Sequence, residues 1–253
     1  MGDRSMSAQG TNEHSMRGQI VSDQNIGDSA APTRPMVTRL VNVYPRFERF
    51  WHWTQMALIF FLLFTGFAIN GVHHLMPFKP AVMLHTLAAL LLLAIWIFAT
   101  FWLFTTGTWR QFLPKLEGMV AVARFYAWGV FKGEEHPYRK TMWRKLNPLQ
   151  AATYFAVKWA IFPAIWGSGP LYLTYNFWEG IPNSGFWITV VANLHLLAAF
   201  AVLSFVIVHV YLLTIGHGFR HHVQPMVTGF DEVELTPEQE AYLEQNEPWR
   251  LKA

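Results

Sequence analysis

Four long apolar runs interrupt an otherwise polar sequence, at about residues 53–70, 81–105, 151–175 and 187–215. The second has no charged residue, the third has one Lys, and the fourth has no acid or base except two His. A membrane-spanning helix needs ~20 apolar residues to cross a hydrocarbon core of ~30 Å. All four runs meet that length, the first only just. Four such runs in 253 residues predict an all-α, polytopic membrane four-helix bundle. Buried helices of a soluble protein are the competing reading, and so many runs in so short a chain weigh against it. No internal repeat is evident.

The segments between the runs predict the rest of the organisation. Residues 1 to about 36 are rich in Ser, Gly, Asn, Gln and Asp, without apolar period. They read as a disordered tail, and without an apolar core they do not read as a signal peptide. The connection 106–150 is too long for a tight turn. Its stretch from Glu117 to Phe131 fits an amphipathic helix lying in the membrane interface, or a loop helix packed on the bundle. After Gly229 come seven acids against Arg250 and Lys252, which reads as a solvated or partner-bound tail. The predicted division is an N-terminal tail (1–40), a membrane domain (41–222) and an acidic C-terminal tail (223–253).

Composition supports a membrane protein. Hydrophobic residues make up 53% and charged residues 14%, where soluble chains carry about one quarter charged. The 21 Phe, 12 Trp and 8 Tyr suit aromatic belts at two interfaces. The absence of Cys excludes a disulfide scaffold, cysteine-held iron–sulfur clusters, c-type haem attachment and thiolate zinc sites. The net charge of +3 calls for no nucleic acid, because its excess is distributed as topology. Lys and Arg crowd the connection 106–150, precede the first run (Arg34, Arg39, Arg46, Arg49) and follow the last (Arg220). The connection between the first two runs has only Lys79, and that between the last two has neither residue. By the positive-inside rule both termini and the long loop face the cytoplasm. The expected location is the bacterial inner membrane, crossed several times.

Four of the eleven His lie in or at the mouth of a run: His52, His85, His195 and His209. Ionisable groups at membrane depth are costly and point to function, although a lone one more often hydrogen-bonds a neighbouring helix. Placement decides here. With the orientation above, His52 and His209 lie near the cytoplasmic side, and His85 and His195 near the outer side. His195 and His209 are 14 residues apart. That spacing is about 40° short of four full turns and about 21 Å along the axis, so both point the same way from one helix. Gly66 falls 14 residues after His52, and Ala99 falls 14 after His85. Each small residue sits at the depth of the opposite pair, where it either admits a flat ligand or simply packs helices. Zinc would more often bring carboxylates or thiolates, and no Asp or Glu lies in any run. Two imidazoles from different helices at one depth match the axial ligation of haem iron. The expectation is two six-coordinate b-type haems, pairing His52 with His209 and His85 with His195.

These residues resemble a known family. Arg49-Phe-Trp-His52-Trp-Thr with Leu63-Phe-Thr-Gly66 is similar to the first helix of the bacterial di-haem cytochrome b561-like family. That family includes the cytochrome b subunits of respiratory formate dehydrogenases, nickel–iron hydrogenases and thiosulfate reductases. Asn193-Leu-His195 through His209-Val-Tyr211 resembles its fourth helix, Asn147-Pro-Leu-Gln150 the entry to its third, and Met226-Val-Thr-Gly229 a motif after its last. The resemblance covers roughly residues 43–229. It implies a membrane anchor that passes electrons between the quinone pool and a partner redox protein. The partner would be a periplasmic-side iron–sulfur, multihaem, molybdo- or nickel–iron enzyme subunit. It further implies a quinone site at the cytoplasmic haem, beside His209, with Asn147 and Gln150 lining it. Asn147 before Pro148 also reads as a helix N-cap, and both roles can hold.

Other residues stay open. Lys158, in the third run, reads as an amine snorkelling to the cytoplasmic side, or as a partner for a propionate or quinone. Arg46 and Arg49 either meet propionates or anchor the first helix. His73 and His74 read as surface residues, and His217, His221 and His222 as interfacial ones. Pro163, Gly167, Gly169 and Pro170 predict a bent or broken third helix. The rival functions are a stand-alone quinol oxidase feeding a soluble carrier, and a haem-free anchor or transporter whose His pack or relay protons.

Overall fold

The computed structural model describes residues 36–134, 136–138, 145–215 and 218–252. The sequence-predicted N-terminal tail up to residue 35, and His217, lie outside these. Chain order begins with strand β1 (Val37–Asn42) and the long helices α1 (Arg46–Ile69) and α2 (Phe78–Thr105). A 3-10 turn (Thr108–Phe112) and helix α3 (Met119–Ala127) occupy the long connection. A third helical run follows as α4 (Pro148–Ala156), a π-helical turn (Val157–Ile161) and α5 (Phe162–Leu173). Then come α6 (Ser184–Leu213), α7 (Phe219–Thr228), strand β2 (Phe230–Leu235) and α8 (Pro237–Asn246).

The chain is mostly helical, and α1, α2 and α6 are each long and apolar enough to cross a membrane. The third apolar run is helical throughout, but it is cut into shorter pieces by the π turn. Pro163 supplies the reason. It has no N–H to give, and its ring crowds the carbonyl four residues back, at Trp159. Opening one turn into π geometry relieves both conflicts and rotates everything downstream. Outward faces are apolar, with Leu197 69% and Phe101 65% exposed. An apolar surface of that extent needs lipid or protein against it.

Helices α1 and α2 pack as one pair, and α5 and α6 as another. Ile59, Leu92, Val157, Phe162 and Val202 form one buried cluster, drawn from all four runs. Ile59 is seven residues after His52, Leu92 seven after His85, and Val202 seven from both His195 and His209. Seven residues are about two turns. The apolar cluster therefore lies midway between two histidine layers.

The C-terminal region is folded, where the acidic composition predicted a solvated tail. Strand β2 pairs antiparallel with β1, Val37 opposite Leu235 and Val41 opposite Asp231. Val233 and Leu235 point inward while Glu232 and Glu234 point out. Together with Val41, Val43, Tyr242 and Leu243 they close a small core of their own. Thr236 and Gln239 cap α8 reciprocally, and Arg39 pairs with Glu240 at 2.6 Å. Residues 37–40, assigned by the sequence to the N-terminal tail, are thus the first four residues of a six-residue strand. This two-stranded sheet is also the exception to the all-α expectation.

The sheet is tied to the membrane helices at Gly229. Its carbonyl accepts hydrogen bonds from the backbone N–H groups of Val43 and Tyr44, at 2.9 and 3.1 Å. Arg49 donates to the Val227 carbonyl and Trp53 Nε1 to that of Met226. Arg49 thus anchors the start of α1. Gly229 has φ +92°, and a Cβ there would meet the Tyr44 carbonyl oxygen at 2.9 Å. Gly229→Ala therefore carries a left-handed backbone penalty of ~1–2 kcal/mol plus a backbone clash. The expected result is a lower apparent melting temperature in detergent, with little change in helix content by circular dichroism.

Candidate functional site

Helix α6 carries one histidine of each layer. In the layer that the Lys and Arg distribution predicts to be inner, His209 faces His52 of α1, with ring centroids 6.5 Å apart and planes at 55°. In the outer layer His195 faces His85 of α2, at 6.3 Å and 66°. Both pairings are those the spacing predicts. Separations of 6.3–6.5 Å are too long for a direct imidazole–imidazole hydrogen bond and would leave room for a metal ion held by both rings.

The outer pair is held by two matching devices. Thr65 Oγ1 lies 2.9 Å from His85 Nδ1, and Ser168 Oγ lies 3.1 Å from His195 Nδ1. Each hydroxyl also reaches the carbonyl four residues back, Phe61 at 2.9 Å and Ala164 at 2.6 Å. A hydroxyl has one hydrogen. Giving it to the carbonyl leaves the oxygen to accept from Nδ1–H, which keeps Nε2 as a lone pair. The next residue in each case is glycine. A Cβ at Gly66 would sit 3.4 Å from His85 Cε1, and one at Gly169 would sit 3.5 Å from His195 Cε1. Thr65 and Ser168 are almost wholly buried.

The inner pair is built differently. Phe205 stacks on His209 at 5.7 Å and 20°, and the Tyr154 ring lies 6.4 Å away. Trp53 meets the edge of His52 at 5.3 Å. His52 Nδ1 is buried and has no hydrogen-bond partner among the described residues.

Comparison with known proteins identifies the family. The family model described as prokaryotic cytochrome b561 matches residues 43–229, a span that contains both histidine layers. The chain belongs to the prokaryotic cytochrome b561 family. Its members are membrane b-type cytochromes of electron transfer. The chain is also similar to YdhU of Escherichia coli (strain K12), a protein named as a cytochrome, with 30% identity over 199 residues, covering 75% of this chain and 74% of that protein. No solved structure matches it.

In this b561-family chain the remaining candidates fall as follows. Asn147 caps α4. Its side-chain oxygen accepts from Gln150 N at 2.8 Å, and Gln150 Oε1 accepts from Asn147 N at 3.1 Å. Asn147 Nδ2 donates to the Tyr126 hydroxyl at 3.2 Å, and that hydroxyl lies 3.2 Å from His136 Nε2. Burial raises the Tyr126 pKa above the ordinary phenol value, and the Asn147 hydrogen bond partly opposes it. Nearby, Lys145 pairs with Glu48 at 2.8 Å. Burial lowers the Lys145 pKa, against the attraction of Glu48. Helix α3 buries Val122 and Phe125 on the bundle and leaves Val120 exposed, with Trp128 and Phe131 exposed just beyond it. The buried side of the helix is that of a loop helix packed on the bundle. His73 Nε2 meets the Phe64 carbonyl at 2.9 Å, and His222 Nε2 the Ile215 carbonyl at 3.1 Å. Lys158 reaches across to α2. Its amine donates to Thr100 Oγ1 at 3.0 Å.

Sequence reasoning missed Thr65, Ser168 and Gly169 as partners of the outer histidines. The signal was faint but present. Thr65-Gly66 and Ser168-Gly169 are the same hydroxyl–glycine pair, one on each neighbouring run.

Proposed function

We propose that this chain is a multi-pass inner-membrane cytochrome b subunit with two bis-histidine b-type haems, one per leaflet. It passes electrons between the quinone pool and a periplasmic-side redox partner. The single observation that carries this reading is the twofold repeat of the 6.3–6.5 Å ring separation at two depths of one helix. The third run completes a four-helix bundle, and the Lys and Arg distribution sets both termini on the cytoplasmic side.

The side chains fit haem in both layers. His85 and His195 present unprotonated Nε2 atoms because Thr65 and Ser168 take up their Nδ1–H groups. Gly66 and Gly169 leave a macrocycle room beside those rings. In the inner layer the rings are fixed by aromatic contacts. Haem, when bound, supplies reversible one-electron chemistry. The apolar layer of Ile59, Leu92, Val157, Phe162 and Val202 keeps water from between the two sites. With the polarity given by Lys and Arg, quinone exchange belongs at the inner layer. The resemblance assigns Asn147 and Gln150 to it. Both are engaged in the cap of α4, so their part is to fix where the third run begins beside His209 and Tyr154.

The test is a pyridine haemochrome assay on detergent-purified protein, counting haem b per polypeptide. Two is expected, and a value near zero with haem supply intact sinks the reading. A stable partner should co-purify in mild detergent. Thr65→Val and Ser168→Ala should keep both haems. Loss of a hydrogen bond to Nδ1 makes the imidazole a weaker donor to ferric iron. One midpoint potential should therefore rise by on the order of tens of millivolts, a tenfold change in preference being about 59 mV for one electron. Redox titration of the α-band checks this, and two unmoved potentials would count against the assigned hydrogen bonds.

A further inference from the structure

We propose that the Lys158 ammonium is a fixed charge that raises the potential of the haem held by His52 and His209, through its field and without touching it. This rests on the di-haem reading of those histidines. Lys158 is the one Lys, Arg, Asp or Glu in the four apolar runs. A charge at membrane depth is costly and points to function, and no acid in those runs offsets this one. Its amine is held in place by other means. It donates to Thr100 Oγ1 at 3.0 Å and lies over the rings of Trp96 and Trp51 at 4.9 and 5.6 Å. A hydroxyl and two indole faces fix a cation without cancelling its charge, as a carboxylate would.

Residues of three helices set the depth of that charge. On α1, Trp51 directly precedes His52. On α2, Thr100 comes 15 residues after His85, about 22 Å along the axis, which is close to the spacing of the two histidine layers. In the third run, Tyr154 lies about one turn before Lys158, and its ring is 6.4 Å from that of His209. The charge is therefore close to the His52–His209 layer and far from the other. Adding one electron to a haem removes one positive charge from its iron, so a cation nearby favours the reduced form. At ~10–15 Å through an effective dielectric of ~20, a unit charge shifts such an equilibrium by roughly tenfold, and at ~30 Å by less than about threefold. One layer should feel Lys158 and the other barely.

The experiment is a redox titration of the α-band on the purified full chain, with haem b per polypeptide counted on the same samples. Lys158→Met removes the charge. Thr100→Asp keeps the lysine and gives it a counter-ion, which serves where Lys158→Met folds poorly. Each is expected to keep both haems and to lower one midpoint potential by about tenfold in one-electron preference, ~59 mV, while the other moves by less than about threefold. Lys158→Arg, which keeps the charge, should leave both potentials within about threefold of wild type. Two unmoved potentials in Lys158→Met and Thr100→Asp, with both haems retained, overturn the proposal. An equal fall in both potentials does so too, because the bundle as a whole would then have loosened. So does a fall in Lys158→Arg as large as in Lys158→Met, which would make shape and not charge the cause. Loss of a haem in Lys158→Met overturns it in favour of a direct bond from the amine to a haem propionate. Failure of the di-haem reading is read separately, from the wild-type haem count.

Discussion

On the di-haem proposal, His209→Ala is expected to leave one haem b per polypeptide instead of two, and His85→Ala should remove the other. The layers are separated by about 21 Å along α6 and by the buried Ile59–Leu92–Val202 cluster, so each should empty independently. Loss of one imidazole leaves its partner without the ring that faces it. The two variants should then be distinguishable by potential. The outer histidines have hydroxyl partners at Nδ1, while His52 Nδ1 has none among the described residues. By the same ligand argument, the haem lost in His85→Ala should be the one of lower potential. Quinone-linked reduction should fail in His209→Ala. A variant that keeps two haems and an unchanged spectrum would refute the assignment of that histidine.

Truncation after Gly229 is expected to have the second large effect. It removes β2 and α8, and with them the cover over Val41 and Val43, which are 0% and 4% exposed. Val233, Leu235, Tyr242 and Leu243 bury their side chains in that cluster. Each such burial contributes roughly 1.5–3 kcal/mol, so the loss is several kcal/mol after the entropy of ordering is deducted. For a chain of this size, ~1 kcal/mol shifts a melting temperature by about 2–4 °C. A drop on the order of 10 °C is therefore expected, along with new protease cleavage near residues 37–45. Haem content should fall less, because the membrane helices keep their contacts. A truncated protein that melts and resists protease like the full chain would show that the C-terminal region is the solvated tail its composition suggests.

That tail shows where reading the sequence falls short. Phe230-Asp-Glu-Val-Glu-Leu235 has the alternation of a half-buried strand, but its acids dominate the count. Its apolar residues are covered by β1, about 190 residues earlier in the chain, as well as by Tyr242 and Leu243. No local window contains both halves of that core. The π turn is similar. Pro163 announced a disturbance, but how a helix absorbs a proline depends on what packs around it. For Lys158 the sequence left open the membrane surface, a haem propionate and a quinone. The structure gives it Thr100 and two indole faces, a set drawn from α1 and α2.

The sequence by itself determined the apolar runs, the family, and which histidine meets which. The family is read from the motifs that resemble it, and the rest from quantities that act locally: the length needed to cross lipid, the Lys and Arg bias, and a helical repeat that returns almost to one face after 14 residues. The tertiary structure alone decided what touches those histidines, where the third run is interrupted, and that the two ends of the chain form one sheet. Those depend on contacts between residues far apart in sequence, and no periodicity along a single helix encodes them.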